Sequence, residues 1–566
     1  MMAHVRYGVL GLLAGGLFCG CGAGGSNNNA GFFNNSNFVA EPAVLARVNR
    51  VQLIDPTPNS SDDPALFLIR GFDAQGNLVF GPIERAYDPN LLVGGFPELT
   101  ADVEVNHERA SGFITRTIHH PVDFASDKDG VIELQSHSLL GTAAPRNSFT
   151  VKLVNNSAYS DDKVFVSVSG KDRDDTAFYY LKFGTNGAAR SLPFGPVSGF
   201  ADYSAPLTTL AKEEAPHTYS FQCPYENLVS GRIYVSFGKK LQGYGLNNLA
   251  DKKSLQTPSA SGAPDYLTLY EFMELSATIP PVGQGPQEYT LFANTSVVDF
   301  FSIGLGMTLS YQNGASETSA SVGFVGNARD LILQEFARPS VPDVFKRYIR
   351  NQDGSKILRV LGPNQSVALD GENSPIGQFL QTALDSGWLH YAGTVLNVPD
   401  NLPSHTFGYQ YTGQSIGGPQ RLNMTLSAKP AGDTNTPNGE LYSLPKPTSR
   451  IVFFCDDVLN NRPVNETYAN LGSEGHKRLV SLIGAALNRG VFENYTDWGN
   501  AAAFYTRPDG KYNWYSKIMH QFAVAGKVYG FGYDDVYGQD PTLARKLDDV
   551  NRLVITIPPV EKLTND

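Results

Sequence analysis

Apolar and polar residues alternate along Phe149-Thr150-Val151-Lys152-Leu153-Val154, and again along Lys163-Val164-Phe165-Val166-Ser167-Val168. A period of two puts one face on a core and the other toward water, so both stretches read as strands. Shorter runs of the same kind lie upstream at 47–53, 65–70 and 99–105, and Asp73-Ala74-Gln75-Gly76-Asn77 between them has hairpin-tip chemistry. Residues 41–146 therefore read as a small immunoglobulin-like β sandwich serving as a spacer. Strands continue through Gly231-Arg232-Ile233-Tyr234-Val235-Ser236-Phe237-Gly238 to about residue 309. The texture then changes. Residues 328–338 space their apolar positions as a helix, with Pro339 as a stop. Residues 341–350 and 375–385 predict two more short helices. Residues 474–488 carry the clearest helical pattern, with Ser473 as N-cap. Strands return at 527–531 and 552–557. The pattern predicts a mainly β protein with an inserted α/β domain: a β barrel or sandwich from 147–325 and 501–560, and an α/β domain from 326–500. A groove between the two is the default site.

Composition narrows the function classes. The chain has 566 residues, 56 Gly and 35 Pro, with only 17% charged residues, which suits a turn-rich β protein. The net charge is −11 and there is no dense Lys/Arg stripe, so nucleic acid and anionic lipid are poor partners. A neutral polysaccharide is not disfavoured. No P-loop, dinucleotide fingerprint or metal-ligand spacing is present, and no cofactor is expected; His119-His120 lacks ligating neighbours. Gly413-Gln414-Ser415-Ile416-Gly417 matches the nucleophile-elbow spacing, but Gly418-Pro419 follows where a helix is required. A monomer is expected.

The first 21 residues read as a secretory signal. Arg6 supplies the positive charge and 8–18 is an apolar stretch too short to span a bilayer. It ends in Cys19-Gly20-Cys21, similar to a bacterial lipoprotein cleavage box, with Cys21 as the lipidation site. Residues 22–40 form a Gly/Asn-rich linker. The expected location is secreted and lipid-anchored at the bacterial cell envelope, with the anchor as the sole membrane contact. Beyond these cysteines only Cys223 and Cys455 remain, either as one disulfide or as two buried thiols.

Two acids interrupt apolar strands. Glu274 lies within Tyr270-Glu271-Phe272-Met273-Glu274-Leu275-Ser276, and Asp299 within Ser296-Val297-Val298-Asp299-Phe300-Phe301. A carboxylate is costly to bury in such a strand. Two that face each other across a groove are the equipment for glycoside hydrolysis. Near the end stand Asn513-Trp514-Tyr515, His520 and the stretch GKVYGFGYDDVYGQ at 526–539. In this order, these segments closely resemble glycoside hydrolase family 64, the β-1,3-glucanases related in fold to thaumatin-like proteins. The resemblance covers roughly 147–558. It implies a thaumatin-like β barrel or sandwich and an α/β domain flanking a wide cleft, and inverting, endo-type hydrolysis of β-1,3-glucan to short laminari-oligosaccharides. Glu274 then matches the general acid and Asp299 the general base. Ser276 and Ser296, Thr in the family pattern, match substrate-contact positions, as do Tyr533, Asp534, Asp535 and Trp514. The chain departs from the pattern in a Pro/Gly-rich loop at 279–287 between the two acids.

Other readings stay open on the residues alone. Glu271 or Asp265 could be the acid in place of Glu274, and Asp299 could tie down backbone amides. Asp534-Asp535 could be a turn pair or a calcium ligand, and Tyr533 and Trp514 could be core. A non-catalytic glucan-binding surface lipoprotein on the same fold is the alternative function; it would have no need of both acids.

Overall fold

The computed structural model describes residues 49–54, 65–75, 77–86, 90–97, 99–109, 116–121, 130–133, 148–171, 178–184, 187, 189–193, 200–225, 228–242, 265–278, 289–314, 316–351, 356–402, 405–415, 421–434, 436–455 and 474–563. The signal and Cys21, the 22–40 linker, the 279–287 loop and the Ser473 cap lie outside them. Between 49 and 133 two antiparallel-rich sheets of three and four strands form. Asp73 closes the expected hairpin tip by accepting from the backbone N–H of Gln75 and Asn77.

Residues from 148 on build four further sheets, two of them large. One has six strands, including Ser148–Asn155, Thr218–Pro224, Gly306–Asn313 and Val550–Ile557. The other has eight, with Val164–Lys171, Val229–Phe237, Tyr270–Thr278 and Thr290–Thr295 side by side. Both sheets are open, so this is a sandwich and not a closed barrel. Alternate residues of each sheet (Val151, Leu153, Leu553 and Ile555 against Val166, Ile233, Met273 and Leu291) fill one apolar core. Burying such residues stabilises by roughly 1.5–3 kcal/mol each before conformational entropy is subtracted.

A second core lies on the other face of the eight-stranded sheet. Tyr234, Tyr270 and Phe272 join there with Ile332, Phe336, Trp388, Leu482 and Tyr515. It also takes in a four-stranded antiparallel sheet, from Leu396–Leu402 to Leu441–Pro445. A three-stranded sheet pairs Phe300–Phe301 with Ile357–Leu361, tying the two bodies together just after Asp299.

The helix expected at 328–338 is Ala328–Ala337, and that at 474–488 is Glu474–Arg489. The other expectations shift. Only Asp343–Lys346 of 341–350 is helical, because the chain turns into the Ile349–Asn351 strand. The helix expected at 375–385 is Gln381–Gly393, since Ser374 instead caps a turn through Gly371 and Gly377. Residues 527–531 are not a strand: the segment touches its neighbour through one isolated bridge, Ser296 to Tyr529. Helix Trp514–Phe522 is additional, capped by the Asn513 side chain on Ser516 N–H. In packing, Phe504 to Tyr537 belong to the second core; within the expected 501–560 return, only the part from Leu543 onward joins the sandwich. Cys223 and Cys455 are free thiols buried in different cores.

Candidate active site

Strand alternation sorts the acids. On Tyr270–Thr278, Met273, Leu275 and Ala277 enter the sandwich core, while Tyr270 and Phe272 face the second core. Glu274 shares the face of Tyr270 and Phe272; Glu271 takes the other. Glu271 spends its carboxylate on the backbone N–H groups of Ser302, Gly304 and Leu305, at 3.1, 2.7 and 3.1 Å. Asp265 is similarly used, accepting from Gln242 N–H and the Thr268 hydroxyl. Both carboxylates are thus tied to backbone N–H groups of the fold.

Strand register places Arg232 on one side of Glu274 and Asn294 on the other. The Arg232 guanidinium donates to Glu274 Oε1 at 3.2 Å and stacks on Phe272, 4.4 Å from its ring centre. Glu274 is only 6% exposed. Burial pushes its carboxyl above the ordinary glutamate range; Arg232 pulls the other way, and the charge of Asp299 adds to the rise. The result is a carboxyl suited to holding a proton.

Asp299, 7% exposed, follows the strand Thr290–Thr295. Its Oδ1 accepts from Asn364 Nδ2 at 2.8 Å and Gln365 Nε2 at 3.0 Å. Both amides stand on the first turn of helix Pro363–Asp370. Gly362 makes this approach possible: its N–H donates to the Asp299 carbonyl at 2.8 Å, and a Cβ there would lie 2.2 Å from the Val298 oxygen. The same segment is held from behind. Tyr515 donates to the Val297 carbonyl at 2.6 Å, and Val297 N–H donates to the Tyr529 carbonyl at 3.0 Å.

Ser276 and Ser296 are both buried close to the acids in sequence. Ser276 Oγ accepts from Ser230 N–H at 2.8 Å, so its hydroxyl also fixes the neighbouring strand. Ser296 bridges to Tyr529. Desolvation, then the charges of Asp535 and Asp540 and last that of Glu274, push up the hydroxyl of half-buried Tyr529, which places the 529–540 segment within electrostatic reach of Glu274. Asp535 is half-buried, and burial followed by the like charge of Asp540 pushes its carboxyl up to about 6.

One of the expected sugar contacts, Asp534, is taken up by the fold, while Trp514 and Tyr533 stay partly exposed. Asp534 is fully enclosed: Oδ1 takes Arg489 at 2.9 Å, and Oδ2 takes His520 at 2.7 Å, Gly530 N–H at 3.0 Å and Ser516 at 3.1 Å. An oxygen with no route to solvent cannot touch a polymer, so Asp534 is a structural hub. Trp514 is half-buried, stacks on Tyr512 at 5.0 Å and donates its indole N–H to Gly510. Tyr533 lies against Gly484, where a Cβ would come within 2.8 Å of the ring. Among the described residues no group of His, Cys, Asp and Glu is arranged to hold a metal ion. The decoy Ser415 donates to the Arg421 carbonyl at the end of strand His405–Ser415, not at a strand-to-helix turn.

Arg232, Asn294, Asn364 and Gln365 were not singled out from sequence. Arg232 offered one signal, a charge at a core-facing position of an alternating strand. The Gly362-Pro363 helix start before two amides offered another.

The family model of glycoside hydrolase family 64, described as β-1,3-glucanase, matches residues 147–556. No curated protein matches the chain. Among solved structures, a β-1,3-glucanase domain from Clostridium beijerinckii is 20% identical with a TM-score of 0.53, covering 74% of this chain and 100% of that one. A laminaripentaose-producing β-1,3-glucanase in complex with laminaritetraose is 19% identical with a TM-score of 0.54, covering 73% and 99%. At those identities the structures speak to the fold, while the family match spans most of the chain. This chain belongs to glycoside hydrolase family 64, the β-1,3-glucanases, and is a glycoside hydrolase.

Proposed function

We propose that the protein cuts β-1,3-glucan internally with inversion at the anomeric carbon, releasing short laminari-oligosaccharides. The observation that carries this reading is the contrast between its two acids. Glu274 is pushed toward its protonated form by burial. Asp299 has one oxygen fixed as an acceptor by two amides. In this reading Glu274 gives its proton to the bridging oxygen as the C–O bond breaks. Asp299 takes a proton from the water that attacks from the opposite face. The leaving sugar departs as a neutral alcohol, and the new hydroxyl is α. Ser276, Ser296 and Asp535 would line the glucan's path in a wide groove between the two bodies of a thaumatin-like architecture. The neighbouring structure that holds laminaritetraose, and its description as laminaripentaose-producing, support a linear β-1,3-glucan and short products.

The stereochemistry tests it. Proton NMR of the first seconds of laminarin hydrolysis should show the α anomer growing before mutarotation. A β anomer at early times would mean a retaining mechanism, whose carboxyls stand about 5–5.5 Å apart instead of roughly 6.5–9.5 Å.

We further propose that the protein is exported and held at the cell envelope by acyl chains on Cys21, with 22–40 as tether and 41–146 as spacer. The acidic body gives no electrostatic reason to bind anionic lipid. Cys21→Ser should therefore move the protein from the membrane fraction to the soluble fraction with unchanged specific activity. Retention on membranes in high salt without an acyl group would overturn the anchor.

A further inference from the structure

Asn294 stands opposite Glu274 in the strand register, on the same face of the sheet. Its side chain is 7% exposed, and its Oδ1 is buried with no hydrogen-bond partner among the described residues. A buried carbonyl oxygen left without a donor is destabilising by about 1–3 kcal/mol, so such an orphan calls for an explanation. The missing donor is close at hand. An ionised Glu274 offers acceptors only, but a protonated one carries an O–H. Arg232 occupies Glu274 from the opposite strand, at Oε1. The other oxygen, Oε2, is the one left to bear a proton toward Asn294.

We propose that Asn294 is a positioning residue for the acid, its Oδ1 accepting the Glu274 O–H and holding that proton ready for the glycosidic oxygen. This rests on Glu274 being the general acid. Once the proton has gone to the leaving sugar, Glu274 is a carboxylate and needs donors. Arg232 supplies one, and a half-turn of the Asn294 amide presents Nδ2 as another. A carboxamide serves both states because it has a donor and an acceptor on one planar group. Leucine would serve neither. Aspartate would accept the O–H but add a like charge.

The test uses the full-length protein and two substrates: linear β-1,3-glucan, and a 2,4-dinitrophenyl β-laminarioside whose leaving group departs without protonation. Asn294→Leu should lower kcat on glucan by about 10–100-fold, the loss of one buried hydrogen bond expressed as rate. It should have little effect on the dinitrophenyl substrate. Removing a bond made to the neutral acid favours ionisation, so the basic limb of kcat/KM should move to lower pH. Asn294→Asp should move that limb to higher pH. Among the described residues, the other charged or titratable groups near Glu274 are Arg232 on the neighbouring strand, Asp299 and Tyr529, and all stay in place. Equal loss on both substrates with an unmoved basic limb would make Asn294 a structural residue. Should Asn294→Leu not fold, the near-isosteric Asn294→Asp still decides: an unmoved limb overturns the proposal. Glu274→Gln is run alongside. If it shows no dependence on the leaving group, the assignment of Glu274 itself falls, and Asn294 with it. If it shows the dependence and the Asn294 variants do not, only the Asn294 proposal falls.

Discussion

Glu274→Gln and Asp299→Asn will each cut the hydrolysis of linear β-1,3-glucan by about 10²–10⁴-fold, the usual cost of losing a general acid or base. Neither change removes volume. Glutamine can still face Arg232, and asparagine can still accept from Asn364 and Gln365 through its remaining carbonyl oxygen. Circular dichroism and thermal unfolding should therefore be little altered. The same substitution one turn of the pleat away makes the contrast. Glu271→Gln loses charge-assisted bonds to three backbone N–H groups, so it should weaken the fold more than the chemistry of the folded fraction. Reducing-sugar release near wild type from Glu274→Gln or Asp299→Asn would remove that residue from the mechanism.

The second large effect concerns stability. Asp534→Ala leaves the guanidinium of Arg489, itself wholly enclosed, without its carboxylate, and should destabilise by about 3–5 kcal/mol in denaturant unfolding. Replacing both residues by apolar ones of similar size should cost less than the single change, because no buried charge is then unpaired. The pH dependence has a definite sign. Burial alone would raise the Asp534 carboxyl, but His520 and Arg489 outweigh it and hold it below the ordinary aspartate range. A depressed folded-state pKa means that this stabilisation is present above the unfolded value, roughly 3.9, and is lost as pH falls through the folded one. Acid unfolding of wild type should thus be steeper than that of the paired apolar variant. An Asp534→Ala protein as stable as wild type at neutral pH would overturn the hub.

How much of this was legible follows from the range of each interaction. Glu274 and Asp299 could be found because a charge inside an apolar alternating run is a local anomaly. Arg232 could not be assigned to Glu274, since it lies 42 residues away and meets it only through strand register. The amides on Asp299 come from 65 and 66 residues downstream, on a helix whose first turn carries no periodic signal. Trp514–Phe522 does space Tyr515, Ile518, Met519 and Phe522 as a helix, but nine residues are too short a window for that period to stand out. The stretch 527–531 alternates like a strand, yet Gly526, Gly530 and Gly532 let it coil against Ser516 and Thr295 instead. Asp534 and Asp535 look equivalent as neighbours; only the fold, by closing over one and leaving the other half-open, tells them apart.

The bond from Gly362 to the Asp299 carbonyl bears on synthesis. A chain emerges from the ribosome N-terminus first, and its domains fold largely in that order. When the strands carrying both acids have emerged, Asn364, Gln365, Tyr515 and Tyr529 are still unmade, and the bonds they give to the Asp299 carboxylate and the Val297 backbone are absent. The candidate site is therefore completed late, by residues in the last tenth of the polypeptide. A fragment ending before Tyr515 would lack both bonds that hold the Val297 segment next to Asp299.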